Sequence, residues 1–272
     1  MLSIYKATKF LEILAIGGHT KPWVIEAEVA GCPQPFVMKV YTTQQIESQN
    51  CVTAEVIGNF LASEFDLPVP KAALIDVSSD EFQMSLSEEA NFLLESKIDP
   101  RIKFGTEFKE PIRKADPELS KKIYANIELD TLYAFDNFIR NEDRGQNKTN
   151  LLIQDDTQEI WLIDHEVAFQ GIDIHTVDTL IEGIKEGIWR ETFTKYHFAY
   201  NYLKNDEDET KSGHFCFFMD FLRNLDLNKT NSYFNQLENY GYSTEKENIV
   251  KYLTFVKNNP TLFFTILKDS LR

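Results

Sequence analysis

The residues best placed to do chemistry lie in a polar loop, NEDRGQNKTN, and just beyond it. Two apolar segments, 151–153 and 160–163, read as the strands of a hairpin, and Asp164 follows the second. Because the outer ends of a hairpin lie side by side, we expect Asp143, Asn150 and Asp164 near one point. Carboxylate and amide oxygens suit Mg²⁺ that is also held by substrate phosphates, and one carboxylate could instead position a hydroxyl acceptor. The alternative is that these Asp and Asn residues only form turns and caps.

A lysine within an apolar segment is a second candidate. Lys39 lies in the predicted strand 35–41, where its charge needs a partner or access to solvent. Glu55 lies sixteen residues further on, in the next predicted helix, and could be that partner. A strand lysine paired to a helix glutamate, behind a glycine hairpin such as Gly17-Gly18, grips nucleotide phosphates in kinases. The alternative is an edge-strand lysine that reaches solvent.

The predicted elements around these residues form an α+β chain. The first part reads as strands with one helix, and the remainder as mainly helical with one hairpin. The predicted strands of the first part are 10–16, 23–29, 35–41, 72–77 and 91–98, and an amphipathic helix carries Val52 to Phe65. Asp116-Pro117 predicts the start of a helix that extends to Ile139. This order predicts a two-lobed protein with an N-lobe over 1–97 and a C-lobe over 98–272.

Composition excludes several classes of protein. The 272 residues include 43 Asp and Glu against 28 Lys and Arg, a net charge of −15, which argues against binding nucleic acid or an anionic membrane surface. The three cysteines are widely spaced, so we expect neither a disulfide framework nor a structural zinc site. No apolar run approaches the ~18 residues of a membrane-spanning helix, and the first residues make a poor signal peptide. We therefore expect a soluble, cytoplasmic protein without stable membrane insertion.

Several motifs together resemble the HipA-like kinases, particularly the small stand-alone HipA-like kinase domain proteins of bacteria. The most specific are DRGQNKTNLLI and WLIDHEVAF, and VMKVY, AEVIGNFLASEFDLPVPKAALIDV and KFGTEF support them. A weaker likeness connects the DRG, LI and ID segments to type II phosphatidylinositol 4-kinases. The resemblance covers roughly residues 8–170.

The resemblance implies a two-lobed protein-kinase-like fold that binds ATP and Mg²⁺. It makes Asp143 the catalytic-loop aspartate and Asp164 the metal-binding aspartate, while Lys39 contacts the α/β-phosphates and Glu55 orients it. The remaining implied nucleotide-binding residues are Gly17 and Gly18 in a lid over the phosphates, and Glu95, Ser96 and Lys97 in a hinge that reads adenine.

Two positions depart from the family pattern. Lys148 stands where HipA itself has a metal-binding Asn, so Asn150 is the expected second metal ligand, with Asn147 as an alternative. Glu166 replaces the glycine of the subfamily's Asp-His-Gly motif.

The sequence as a whole predicts an ATP- and Mg²⁺-dependent kinase whose acceptor is a Ser/Thr hydroxyl of a protein. A phosphoinositide or small-molecule kinase would use the same residues with another acceptor. A nucleotide-binding pseudokinase that serves as an interaction module is the non-enzymatic alternative, which Lys148 and Glu166 favour. A regulatory protein partner is left open.

Overall fold

The computed structural model describes residues 1–14, 21–109, 112–115, 124, 127–154, 156–187 and 191–272. The chain divides into two compact units. The first unit is Met1–Val56, Pro70–Glu110 and Ser232–Thr244, and the second unit is Ile57–Val69, Pro111–Asn231 and Glu245–Arg272. The first unit thus continues beyond residue 97 and includes a segment from late in the sequence.

The strands of the first unit form a closed barrel in the order β1-β2-β3-β5-β4. They are β1 (Ser3–Ile13), β2 (Trp23–Val29), β3 (Cys32–Met38), β4 (Ala72–Asp76) and β5 (Lys103–Glu107). β1 and β4 pair in parallel, and the other neighbours are antiparallel. Side chains alternate along β2, so Trp23, Ile25 and Ala27 all point into the core, where they pack with Phe36 and Met38.

A late segment of the sequence packs onto this unit through Arg101. The guanidinium of Arg101 donates to the carbonyl of Gly241 at 2.8 Å and lies 4.7 Å from the ring centroid of Tyr242. The Tyr242 hydroxyl in turn donates to the carbonyl of Ile102. Arg101 also pairs with Asp99 at 2.8 Å. Burial raises the pKa of Asp99, but the hydrogen bonds from Arg101 outweigh burial and lower it to about 2.

The second unit is mainly helical around a small sheet. Its strands β6 (Ile112–Lys114), β7 (Leu151–Gln154) and β8 (Ile160–Leu162) form an antiparallel sheet in that order. The helices of the chain are α1 (Thr43–Gln49), α2 (Cys51–Glu64), α3 (Asp80–Ser85), α4 (Glu88–Ser96), α5 (Leu129–Ile139), α6 (Val177–Lys185), α7 (Glu191–Tyr196), α8 (Tyr200–Lys204), α9 (Asp208–Gly213), α10 (Cys216–Asn224), α11 (Asn228–Asn239), α12 (Lys246–Asn258) and α13 (Pro260–Ser270). Of these, α1, α3, α4, the start of α2 and most of α11 belong to the first unit.

Helix α5 is the central element of the second unit. Every residue of α5 except Asp130 is buried. Phe65 packs against this helix, with ring centroids 5.5 Å from Phe135 and 5.6 Å from Phe138, and it stacks on Phe218 of α10 at 4.9 Å. These aromatic contacts fix the helix that leads directly into the polar loop.

The mixed α+β composition predicted from the sequence is confirmed, and so is the hairpin of β7 and β8. The strand predicted over 91–98 is wrong, because these residues form most of helix α4. Strand β5 was not predicted. The helix start predicted at Asp116-Pro117 lies outside the described residues, and helix α5, which carries the predicted Phe135, Phe138 and Ile139, begins only at Leu129 with Glu128 as its N-cap. No helix in the described ranges is both long and apolar enough to cross a membrane.

Candidate active site

The first unit brings the predicted Lys39 and Glu55 together. Lys39 Nζ lies 3.0 Å from Glu55 Oε1, and the Glu55 side chain is only 2% exposed. The Tyr41 hydroxyl also donates to Glu55 Oε1 at 3.3 Å. The buried carboxylate of Glu55 directs the ammonium of Lys39, which is 16% exposed.

The backbone around Lys39 differs from the prediction. Strand β3 ends at Met38, so Lys39 lies just after the strand and not inside it. Its N–H still donates to the carbonyl of Phe104 at 2.9 Å, which keeps it aligned with β5. Thr42 then caps α1 and ends the extended segment. Because the extended segment ends here, the Lys39 side chain does not have to extend past the side chains of neighbouring strands.

The other predicted nucleotide contacts in this unit have different outcomes. Gly17 and Gly18 lie outside the described residues, and their role stays a prediction. The strands on either side, β1 and β2, do pair as an antiparallel hairpin. The residues that the resemblance assigns to a hinge, Glu95, Ser96 and Lys97, lie at the end of helix α4, with Lys97 as its C-cap. Their role in reading adenine stays a prediction.

In the second unit, the polar loop after α5 brings Asp143 and Asn150 into contact. Asn150 Nδ2 donates to the Asp143 carboxylate at 3.1 Å and to its backbone carbonyl at 3.2 Å. This arrangement uses the amide nitrogen and leaves the amide oxygen as the acceptor that Asn150 can offer to another group. Asn150 has a positive φ of 49°, a conformation that Asn tolerates better than most residues.

Lys148 joins this loop to Asp164. Its ammonium hydrogen-bonds to Asp143 Oδ2 and lies 3.4 Å from Asp164 Oδ2. Burial lowers the pKa of Lys148, but the hydrogen bond to Asp143 and the charge of Asp164 outweigh burial and raise it. Lys148 is therefore charged and joins Asp143 to Asp164, while Asn150 is held to the same cluster through Asp143.

Asp164 adopts a left-handed backbone conformation directly after the hairpin. Asp164 follows β8 with a positive φ of 68°, and the N–H of Ile163 donates to the Asn150 carbonyl at 3.1 Å. Glu166, which stands in place of the family's glycine, is not one of the described residues with a positive φ. The loss of that glycine therefore imposes no left-handed strain on the turn.

Arg144 holds the loop and the hairpin in register. Its Nη1 donates to the carbonyls of Thr149, Asn150 and Ile163 at 3.1, 2.9 and 3.2 Å, so one guanidinium contacts both ends of the site. Its Nε donates to Asp136 Oδ2 at 2.7 Å, and both side chains of this pair are fully buried. A buried planar donor of this kind fixes backbone positions that a flexible loop would not keep.

His197 completes the buried network. The N–H of Ala199 donates to His197 Nδ1 at 3.1 Å, so Nδ1 is the acceptor and Nε2 carries the proton that it donates to Asp136 at 2.9 Å. Burial lowers the pKa of His197. Burial raises the pKa of Asp136, but the charge of Arg144 and the His197 hydrogen bond outweigh it and lower that pKa. The network is therefore an ionised Asp136, an Arg144 cation and a neutral His197.

His165, next to Asp164, packs closely against helix α2. A Cβ at Gly58 would lie 2.7 Å from His165 Cβ, a distance that requires displacement of one of the two backbones. Only glycine therefore allows this approach. Because Gly58 has no side chain, His165 can pack tightly against α2, and this packing holds the position of the adjacent Asp164.

We expect Gly58→Ala to destabilise the protein by about 1–3 kcal/mol through this overpacking. The better helix propensity of alanine restores at most about 1 kcal/mol. Gly213→Ala is the matched control, since Gly213 ends α9 and a Cβ there meets nothing within 4 Å. Urea denaturation of both variants measures the difference. Equal stability of the two variants and the wild type would show that His165 moves to accommodate the added methyl group, and that its packing does not hold Asp164 in place.

The donor set of the second unit fits one divalent cation. Asp164 and Asp143 offer carboxylate oxygens and Asn150 offers an amide oxygen, all hard ligands suited to Mg²⁺. Asn147, the alternative to Asn150, has no described contact with these carboxylates. The ammonium of Lys148 contacts both carboxylates.

A buried lysine–glutamate pair beside a barrel, and a separate loop-and-hairpin cluster of Asp and Asn, are residue sets typical of kinases. The family described as HipA-like kinase matches residues 15–208, which is more than half of the sequence. The chain belongs to the HipA-like kinase family, and this membership supports a kinase activity.

One solved structure with a similar fold is also a kinase. The crystal structure of the Helicobacter pylori proinflammatory kinase CtkA matches with a TM-score of 0.51 and 14% sequence identity, covering 98% of this chain and 99% of that one. At this identity the likeness concerns the fold. No curated protein matches the sequence.

Sequence reasoning missed the network of Asp136, Arg144 and His197. A signal for it existed, because Asp136 is a charged residue in an otherwise apolar helix and therefore requires a buried partner. Arg144 directly follows Asp143, but its partners could not be read from the sequence.

Proposed function

We propose that the protein is an ATP- and Mg²⁺-dependent kinase that transfers the γ-phosphate to a Ser/Thr hydroxyl of a protein. The observation that carries this proposal is the cluster in the second unit in which Lys148 joins Asp143 to Asp164 and Asn150 donates to Asp143. Carboxylates with only turn-forming roles would have no reason to share one cation. Membership in the HipA-like kinase family supports the same reaction class.

Asp143 is the residue we assign to the acceptor. Its side chain is 30% exposed, so a hydroxyl group can approach it, and its carboxylate can orient that hydroxyl and accept its proton. Asn150 and Asp164 would hold Mg²⁺, which neutralises phosphate charge when bound. Lys39, directed by Glu55, would contact the α/β-phosphates. The contribution of these residues is mainly positioning and charge neutralisation.

A protein acceptor fits the charge of the chain better than an anionic lipid. The net charge of −15 opposes approach to a phosphoinositide-rich surface, whereas a peptide that carries a Ser or Thr meets no such barrier. The acceptor class also follows the HipA-like resemblance of the DRGQNKTNLLI and WLIDHEVAF motifs.

The test is a thermal melt with and without ATP and Mg²⁺, on the wild type and on Asp164→Asn. Asn tolerates the positive φ at this position, so the variant should fold. A ligand that binds only the native state stabilises it by about 2.7 kcal/mol at a hundred-fold excess over Kd, so we expect the melting temperature to rise by about 5 °C or more. Asp220→Asn, on an exposed surface pair with Arg223, is the control and should keep the full rise.

Loss of the rise in Asp164→Asn, together with its dependence on Mg²⁺ in the wild type, would support the proposal. No rise at saturating ATP would contradict it.

A pseudokinase is the second candidate, because Lys148 stands where HipA has a metal-binding Asn and contacts both carboxylates. A rise in melting temperature that ignores both Mg²⁺ and the Asp164 substitution would favour it. Transfer of radiolabel from ATP to a protein acceptor would exclude it.

A further inference from the structure

Lys148 contacts the two carboxylates that the proposed function assigns to different tasks. Its ammonium hydrogen-bonds to Asp143, the acceptor-orienting residue, and lies 3.4 Å from Asp164, the metal-binding residue. The side chain is 36% exposed, so it reaches the site from the loop and is not locked in the core. An ammonium in this position neutralises charge between the two carboxylates, as a metal ion bound there would.

The charges around Lys148 bear on how many divalent cations this cluster can bind. Asp143, Asp164 and Glu166 all act electrostatically on Lys148. An uncharged residue at position 148 would remove one positive charge from beside these carboxylates and leave room for a second divalent cation beside Asp143 and Asp164.

We propose that Lys148 takes the place of one metal ion, so that the nucleotide-loaded protein binds one divalent cation where an Asn at this position would allow two. This inference rests on the proposed function. Asn150 supplies the amide oxygen for the remaining cation, because its amide nitrogen is already held by Asp143. Lys148 in this role is a positioning residue that keeps the two carboxylates at a fixed separation.

The experiment counts Mn²⁺ ions bound per chain. Mn²⁺ is titrated into protein carrying an equimolar non-hydrolysable ATP analogue, and free Mn²⁺ is measured by electron paramagnetic resonance. We expect one ion for the wild type, one for Lys148→Arg, which keeps the charge, and two for Lys148→Asn. Lys185→Asn, which alters an exposed lysine paired with Glu182, is the matched control and should bind one.

A second measurement uses Mn²⁺ alone, without nucleotide. Removing the ammonium should raise the affinity of Lys148→Asn for Mn²⁺ at least about ten-fold over the wild type, while Lys148→Arg and Lys185→Asn stay unchanged. This arm needs no ATP binding and no turnover. Circular dichroism melts confirm that each variant is folded.

Two ions in the wild type, or one in Lys148→Asn, would overturn the inference and leave the proposed function intact. An unchanged Mn²⁺ affinity in Lys148→Asn without nucleotide would also overturn it. No binding of the ATP analogue by the wild type would instead contradict the proposed function, and with it the single-metal assignment.

Discussion

Asp143→Asn is expected to lower the rate of phosphoryl transfer by about 10²–10⁴-fold, because the amide can neither accept the hydroxyl proton nor carry the charge that orients the acceptor. The amide oxygen can still accept from Asn150 and Lys148, which now donate to the carboxylate. The fold should therefore be kept, with a melting temperature within a few degrees of the wild type. Single-turnover transfer from labelled ATP measures the rate.

Asp220→Asn controls for the chemical change at an exposed site and should transfer at the wild-type rate. The ATP-dependent rise in melting temperature should survive in Asp143→Asn, since nucleotide binding is assigned to other residues. A variant that unfolds, with unchanged activity in its folded fraction, would make Asp143 a loop-building residue and would exclude the catalytic role.

Arg144→Met should cost about 3–5 kcal/mol of stability, since it leaves the buried charge of Asp136 without its cation. It also removes the donor to three carbonyls that join the loop to the hairpin. The matched control is Arg223→Met, which breaks an exposed pair with Asp220 and should cost at most about 1 kcal/mol. Chemical denaturation of both variants gives the two values.

The double variant Asp136→Leu, Arg144→Met distinguishes the cost of an unpaired buried charge from the cost of losing the hydrogen bonds to the loop carbonyls. It should be less destabilised than the sum of its two single variants, because neither charge is then left alone in the interior. Additive losses would show that the ion pair contributes nothing beyond the packing of its side chains. Transfer activity should stay low in the double variant, since the carbonyls of the loop have lost their shared donor.

Much of the site followed from residue type and spacing. Lys39 and Glu55 were predicted as a pair because a buried carboxylate and a lysine each need the other. The hairpin predicted that Asn150 and Asp164 would approach each other, and the positive φ angles at both positions explain why Asn and Asp occur there. Such rules work where the contacts lie within one hairpin or between a strand and the helix that follows it.

The errors arose where local patterns were ambiguous. The segment over 91–98 contains only a short apolar run, whose period does not separate strand from helix. The missed signal was Ser87, whose hydroxyl accepts the N–H of Ala90 and caps α4, followed by Glu88 and Glu89 in the first turn. Asp136 presents a different difficulty. Its partner His197 lies 61 residues away, a separation over which no periodic pattern connects the two.

The contact between Arg101 and Gly241 also bears on the order in which the protein acquires its structure. These residues belong to one compact unit but lie 140 positions apart in the sequence, so they leave the ribosome far apart in time. The barrel strands are synthesised first, yet the segment that packs on Arg101 emerges only after the loop and hairpin of the second unit. Folding during translation therefore cannot proceed strictly from one finished unit to the next. The barrel strands can pair early, but the first unit stays incomplete until the segment Ser232–Thr244 has been synthesised.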